Sequence, residues 1–519
     1  MKRWLNVDRA LTAALFFGYL ALLLATSASL GFMRDEGFYF QAARVYGDWL
    51  ELLGRSPAEA LSRAVLDRHW SVNHEHPSLL KLLFALSNRL FSGWFSQTST
   101  SFRFPAMVLS SLAVAVTYDW GRRALGRSAG VVAALSFAFL PRVFFHSHLA
   151  CFDMPVCALW LLTVYVYSRS LTSPSWAWAL GAGIAYGLLL DTKHNSWLLP
   201  LVLGAHFLVT RSRKIPKAWP CMLLLGPALC FALWPWLWHD TFARLREYAL
   251  FHTGHEYYNM EFLGRTYWKP PMPRAYAPLM TAATVPAVTL VLAGVGVARW
   301  LASERRSDFA LWGLCIAVSY APWLSSGTPI FGGTKHWLTA YPFVCLFAGL
   351  GFSRVVAAVR SATPRVAHPA LLGACVVAPP LVMALHAHPF GLSAYTPLVG
   401  GAPGAASLGL NRTFWGYTTQ SLAPLVNSRA PRRGTVYVHD TALASFAMLQ
   451  RDGRLRRDLR GSLDIALSDV ALYHHEPHMS RVEHQIWLTY KTTAPEAIAT
   501  FDGVPVAWGY ARPRAQPPK

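Results

Sequence analysis

The chain has 519 residues, and its 47 basic side chains against 26 acidic ones leave a formal charge of +21. Only 14% of it is charged while 54% is hydrophobic, whereas soluble domains carry about 25% charged residues. That balance excludes a disordered tail, a collagen-like chain and a disulfide scaffold. It predicts a polytopic α-helical membrane protein with a modest soluble part. The basic residues are spread over many loops and form no basic domain, so no nucleic-acid partner is expected. Cys151, Cys157, Cys221, Cys230, Cys315, Cys345 and Cys375 lie mostly inside apolar runs without metal-type spacing. They read as small buried side chains.

A membrane span needs about 20 mostly apolar residues. The runs that qualify, in chain order, are Ala10–Phe32, Phe102–Tyr118, Ser128–Phe145, Met154–Tyr167, Trp176–Leu190, Ser196–Val209, Trp219–Leu237, Ala277–Val297, Phe309–Leu324, Trp337–Phe352 and Ala370–Leu385, eleven in all. The first run is long for a signal peptide, and cleaving it would upset the parity of the later loops. Alternate loops are basic. They hold Lys2, Arg3 and Arg9; Arg122, Arg123 and Arg127; Arg169; Arg211, Arg213, Lys214 and Lys217; Arg299, Arg305 and Arg306; and Arg354, Arg360 and Arg365. Basic short loops stay in the cytoplasm. The expected topology for a bacterial inner membrane is therefore amino terminus inside, carboxyl terminus outside in the periplasm.

Residues 1–390 are expected to form the membrane domain. Its first outer loop, 33–101, should carry two interfacial helices. Phe38–Leu53 mixes apolar residues with Arg44, Asp48 and Glu51. Leu79–Phe95 is apolar but contains Lys81 and Arg89, and reads as a helix lying on the surface. A second outer segment, Trp238–Tyr276, is rich in aromatic and histidine residues and reads as a solvated loop. Residues 391–519 are expected to form a small extracytoplasmic α/β domain. Its signals are a helix at Thr419–Leu425, a strand at Thr435–His439 and a helix capped by Asp440 and running through Gln450. A strand at Val470–His474, a helix at Arg481–Tyr490 and an Asp502-Gly503 turn follow.

Sorting the unusual residues by side gathers many at the outer face: Asp35, Glu36, His69, His74, Glu75, His76, His146, His148, Asp153, Asp191, Lys193, His194, His239, His252, His255, Lys335 and His336. Ionisable groups at span ends are costly unless they pair or line a cavity. One polar pocket at the outer interface is expected. Asp35-Glu36 follows the first span, either orienting that helix or reacting. Asp153 opens the fourth span before Met154-Pro155, where an N-cap is the plainer role. Thr192-Lys193-His194 and Thr334-Lys335-His336 repeat one pattern at two outer ends. A single such lysine would be an interfacial anchor, but two place cations where an anionic head group would sit. Asn73-His74-Glu75-His76-Pro77 could hold a divalent metal, but shows no closed ligand set. The His474-His475-Glu476 string reads as a solvated strand end, and Asn411-Arg412-Thr413 as a weak glycosylation match.

Asp-Glu after the first span, Glu-His-Pro before a surface helix, Asp at the mouth of the fourth span and Thr-Lys before the sixth together resemble the C-type membrane glycosyltransferases. The resemblance lies nearest the family of protein O-mannosyltransferases and lipid A aminoarabinose transferases, and covers about residues 10–350. It implies a polyprenyl-phosphate sugar donor and a lipid, glycan or protein acceptor at the outer face. On this resemblance Asp35, Glu36 and Asp153 are the catalytic carboxylates. Glu75, His76, Lys193, His194, Lys335 and His336 bind the donor phosphate or substrate, with Asp35 nearest the acceptor. His76 stands where some members have lysine. The competing reading, a transporter or flippase of a lipid-linked or anionic solute, predicts mid-membrane charges and broken, repeated helices; no corresponding pair of broken segments is visible. A sensor or scaffold would leave the two Thr-Lys-His sets unexplained. A resident cofactor is not implied.

Overall fold

The computed structural model describes residues 2–211, 214–303, 307–363 and 368–513. The side chains of Lys2 and Arg3, and Arg213, Arg305, Arg306 and Arg365, lie outside the described residues. The fold is mostly helical, and every predicted apolar run is helical. Among the described residues, five helices are long and apolar enough to cross a membrane: Val7–Ser29, Thr98–Leu125, Asp153–Thr172, Gly333–Ala362 and Pro369–Ala387. Other runs are divided by proline. Ser128–Phe145 becomes Arg127–Ala138 and Pro141–His146, and Ala277–Val297 becomes Tyr276–Thr284 and Ala287–Ser303, with Pro286 at the break. Proline lacks the N–H the ladder needs and disfavours helix in the residue before it.

The basic loops converge at one end. Asp8 bonds Arg127 at 2.8 Å and Arg122 at 3.3 Å, and Arg123 bonds Asp119 at 2.7 Å. Lys217 reaches the Pro174 carbonyl at 3.5 Å, and His206 reaches Ser307 Oγ at 2.9 Å. The unusual acidic and histidine residues gather at the opposite end.

The first loop there forms four helices, Arg34–Arg55, Pro57–Ala60, Arg63–Trp70 and Leu79–Phe91. Helix Arg34–Arg55 buries Phe40, Ala43, Gly47, Tyr39, Tyr46 and Trp49, two sets repeating at helical spacing on one face. Helix Leu79–Phe91 lies against it, with the Arg89 guanidinium donating to the Gly47 carbonyl at 2.9 Å. Lys81 does not snorkel. It is fully buried, and its ammonium donates to the carbonyls of Asn73 and, at 2.8 Å, His76. Burial pushes it down to about 7, against the pull of Glu75 and Asp191. It clamps the turn that carries Glu75 and His76.

Trp238–Tyr276 differs from the solvated loop expected. Thr241–Thr253 is a helix, and the hairpin β1 (Met260–Phe262) with β2 (Arg265–Tyr267) follows. The terminal region is α/β as predicted. It has strands β3 (Thr435–Val438), β4 (Arg460–Ser462), β5 (Val470–His474), β6 (Ala497–Phe501) and β7 (Val504–Ala511), ordered β4-β3-β5-β7-β6. Strand β3 runs parallel to β4 and β5, while β7 is antiparallel to β5 and β6. The Asp502-Gly503 turn joins β6 to β7, both residues at positive φ. Asp440 caps no helix. The next helix, Leu443–Arg451, starts after Ala442, and the Asp440 carboxylate instead accepts from Arg34 at 2.8 Å.

Candidate functional site

Two ion pairs form the centre of the polar end. Asp153 is the first residue of helix Asp153–Thr172, with Phe152 at the cap position and no side-chain cap bond. Its carboxylate accepts from the Lys193 ammonium at 2.7 Å, with His146 Nδ1 3.8 Å away. The plainer capping role is therefore not what the side chain does. Lys335 lies 3.4 Å from the Asp35 carboxylate, and its ammonium stands over the Trp415 ring at 4.2 Å. Both lysines act electrostatically on Asp153, which ties the two pairs into one field. Neither lysine is a surface anchor: each turns inward to a carboxylate. Such buried pairs cost desolvation that their mutual attraction only partly offsets.

The backbone before Lys335 is shaped for this. Gly332 and Gly333 have φ of +79° and +62°. A Cβ at Gly332 would lie 2.0 Å from the Trp415 ring and 2.6 Å from Lys335 Cε, so only glycine fits. His336 is held by Phe331, whose N–H points at its Nε2 at 3.2 Å, and by stacking on Trp323 at 4.3 Å.

Glu36 has a different fate from its neighbour. Its carboxylate is fully buried and takes two bonds from Arg103, each 2.8 Å. It also accepts from the backbone N–H of Met33 at 3.1 Å and of Ala150 at 3.0 Å. Every lone-pair direction is occupied. These four bonds hold Glu36 at the start of helix Arg34–Arg55, next to Asp35.

Glu75 accepts from Asn73 at 2.6 Å, and its backbone carbonyl meets His252 Nε2 at 2.8 Å. His76 packs edge-on to Tyr39 and Phe152, whose two rings stack at 4.2 Å. His194 stacks on His252 at 4.0 Å. Lys193 and His194 both lie close enough to His76 to act on it electrostatically. Among the described residues these form no set of three metal-type ligands. His69, His74, His148 and Asp191 have local partners. They bond the Val65 carbonyl, Glu247, Thr26 and Ser78 respectively.

Burial pushes His252 down to about 4 and His76 and His194 well below their ordinary value of 6.5. Lys193 and neighbouring imidazoles add to the effect, while the Glu75 carbonyl opposes it at His252. These rings fold neutral but take up protons readily once unfolded. Stability is therefore complete above pH 6.5 and is lost as pH falls toward 4. We expect the thermal midpoint of the purified protein to fall through that window. His252→Gln should flatten the fall; an unchanged slope would remove His252 as a cause.

Sequence reasoning missed several walls of this site. Arg34, next to Asp35, bridges to Asp440, and its backbone N–H bonds the Trp415 carbonyl at 3.2 Å. Arg142 lies over the rings of Tyr395 and Phe414 at 5.1 and 5.9 Å and acts on His146. The Arg-Asp-Glu string and Arg142 beside Pro141 were the only signals in the sequence.

The model of the dolichyl-phosphate-mannose-protein mannosyltransferase family matches residues 75–239. ArnT from Cupriavidus metallidurans in the apo state is similar in structure, with TM-score 0.52, 15% identity and 98% of each chain covered. The same protein bound to undecaprenyl phosphate gives TM-score 0.53 at 14% identity, again over 98% of each chain. The Archaeoglobus fulgidus oligosaccharyltransferase in the apo form gives TM-score 0.49 at 12% identity over 89% of this chain and 64% of that one. No curated protein matches by sequence. The chain therefore shares the fold of the solved ArnT structures over 98% of its length, helices followed by a small terminal sheet, and its apolar helices make it a membrane protein.

Proposed function

We propose that this chain transfers a sugar from a polyprenyl-phosphate donor to an acceptor hydroxyl or phosphate. The observation that carries the reading is the convergence of Asp35–Lys335 and Asp153–Lys193 at one end of the helices. The family match over residues 75–239 and the solved ArnT complex with undecaprenyl phosphate support that donor class. The acceptor oxygen attacks the anomeric carbon, its proton passes to Asp35, and the bond from that carbon to the phosphate breaks. Polyprenyl phosphate leaves, and the configuration inverts. Lys193 and Lys335 supply charge to the phosphate as it departs, and Asp153 holds Lys193 in place. Eleven crossings, with the basic loops cytoplasmic and this site and the terminal domain periplasmic, are the proposed threading in an inner membrane.

The direct test incubates the purified protein with labelled polyprenyl-phosphate sugars and a membrane extract, and identifies the product by mass spectrometry. Label that stays on the donor with every sugar would overturn the reading. A charge-assisted contact is worth about 1.5–3 kcal/mol. Lys193→Met is accordingly expected to weaken transfer by roughly tenfold to a hundredfold and to weaken undecaprenyl-phosphate binding. Lys193→Arg should recover part of both. Binding unchanged in Lys193→Met would move the phosphate elsewhere.

A further inference from the structure

The carboxyl ends of β3 and β5 meet at the seam between the terminal sheet and the first loop. They are adjacent parallel strands, and in α/β sheets ligands collect beyond such ends. Asp440 lies two residues past β3, His474 ends β5 and Glu476 follows two residues later. One ligand atom from each falls within 4.8 Å of the others. The string expected to be a solvated strand end is instead enclosed. The side chains of His474, Asp440 and Glu476 are 0%, 6% and 12% exposed.

Charge is out of balance here. Asp440, Glu476 and the nearby Glu261 bring three carboxylates into the seam, where among the described residues Arg34 pairs with Asp440. Arg34 takes only one oxygen of Asp440, at 2.8 Å. His478 lies 3.3 Å from both Glu261 and Glu476, with its side chain only 4% exposed. Neither contact has hydrogen-bond geometry, and both ring nitrogens lack a partner. It lines a cavity of about 70 Å³ together with Asp440 and Glu476. Buried carboxylates crowded together are expensive unless further positive charge joins them.

We infer that Asp440, His474 and Glu476 bind a divalent transition-metal cation of the zinc class, with His478 beside it. Two carboxylate oxygens and one imidazole form a donor set suited to zinc. The ion neutralises the seam and, through Asp440 and Arg34, fastens the terminal domain to the start of the helix that carries Asp35. The site adjoins the pocket of Asp35 through Arg34, but Asp440, His474 and Glu476 take no part in the proposed transfer, so zinc binding is tested apart from that reaction.

The test uses the full chain, purified in detergent, stripped with chelator, exposed to zinc chloride and desalted. Elemental analysis should find a single zinc retained per chain. Glu476→Gln and His474→Gln should each weaken zinc affinity by about tenfold to a hundredfold or more, while Asp35→Asn and Asp153→Asn should bind as the wild type does. Retention lost in the latter pair but kept in the former would place the ion in the pocket and overturn the inference, as would a wild-type chain that retains no zinc. X-ray absorption at the zinc edge of the wild type needs no variant to fold. It should show oxygen and imidazole neighbours; a sulfur shell would also overturn the assignment.

Discussion

Asp35→Asn should lower sugar transfer by about a hundredfold to ten-thousandfold, the range that one positioned general base contributes, with little change in thermal midpoint. The substitution keeps the shape of the side chain and removes its ability to take a proton. The half-open setting of Asp35 supports the expectation. Its carboxylate is 21% exposed, so an acceptor can reach it. Lys335 lies 3.4 Å and Arg34 3.7 Å from that carboxylate. Donor binding should survive, because both Lys193 and Lys335 remain to meet the phosphate. Kinetics in purified membranes would then show a fall in kcat with undecaprenyl-phosphate affinity intact. Transfer at the full rate would remove Asp35 from the reaction, and a parallel loss of donor affinity would make it a binding group.

The helical fold was legible because an apolar stretch in lipid has few ways to satisfy its backbone other than a helix. The charged residues at the predicted span ends also marked out Asp35, Asp153, Lys193 and Lys335, which the fold brings into two ion pairs. What escaped was pairing between distant segments. Arg103 stands inside the predicted run Phe102–Tyr118, and nothing local says that it meets Glu36. Lys81 looked like a surface lysine because its two carbonyl partners lie in the preceding turn, whose shape depends on the helix itself. His252 read as loop because its burial comes from His194 and Glu75, far earlier in the chain. In the terminal domain, alternation and turn signals located β3, β5 and the β6–β7 turn. The short edge strand β4 (Arg-Gly-Ser) gave no pattern, and it exists because β3 offers it a parallel edge.

Glu36→Gln is the companion experiment, and it should fail in the opposite way. The amide keeps the volume and can accept some of the bonds that the carboxylate accepts. It cannot balance Arg103, whose guanidinium is fully buried and also donates to the Gly31 carbonyl at 2.7 Å. Removing one partner of a buried pair typically costs about 3–5 kcal/mol, because the other charge stays behind unpaired. We expect a marked fall in thermal midpoint and in the yield of folded protein. Arg103→Gln should lower the midpoint similarly, and the double variant should cost less than the sum of the two singles, since the residues share one interaction. Whatever Glu36→Gln folds at low temperature should keep the wild-type pH dependence of transfer, because Asp35 remains to take the proton. A shifted pH profile with an unchanged midpoint would return Glu36 to the reacting centre. Two carboxylates adjacent in sequence are thus separated by burial alone: one has every lone pair engaged by Arg103 and the backbone, while the other is reachable from solvent and faces a lysine.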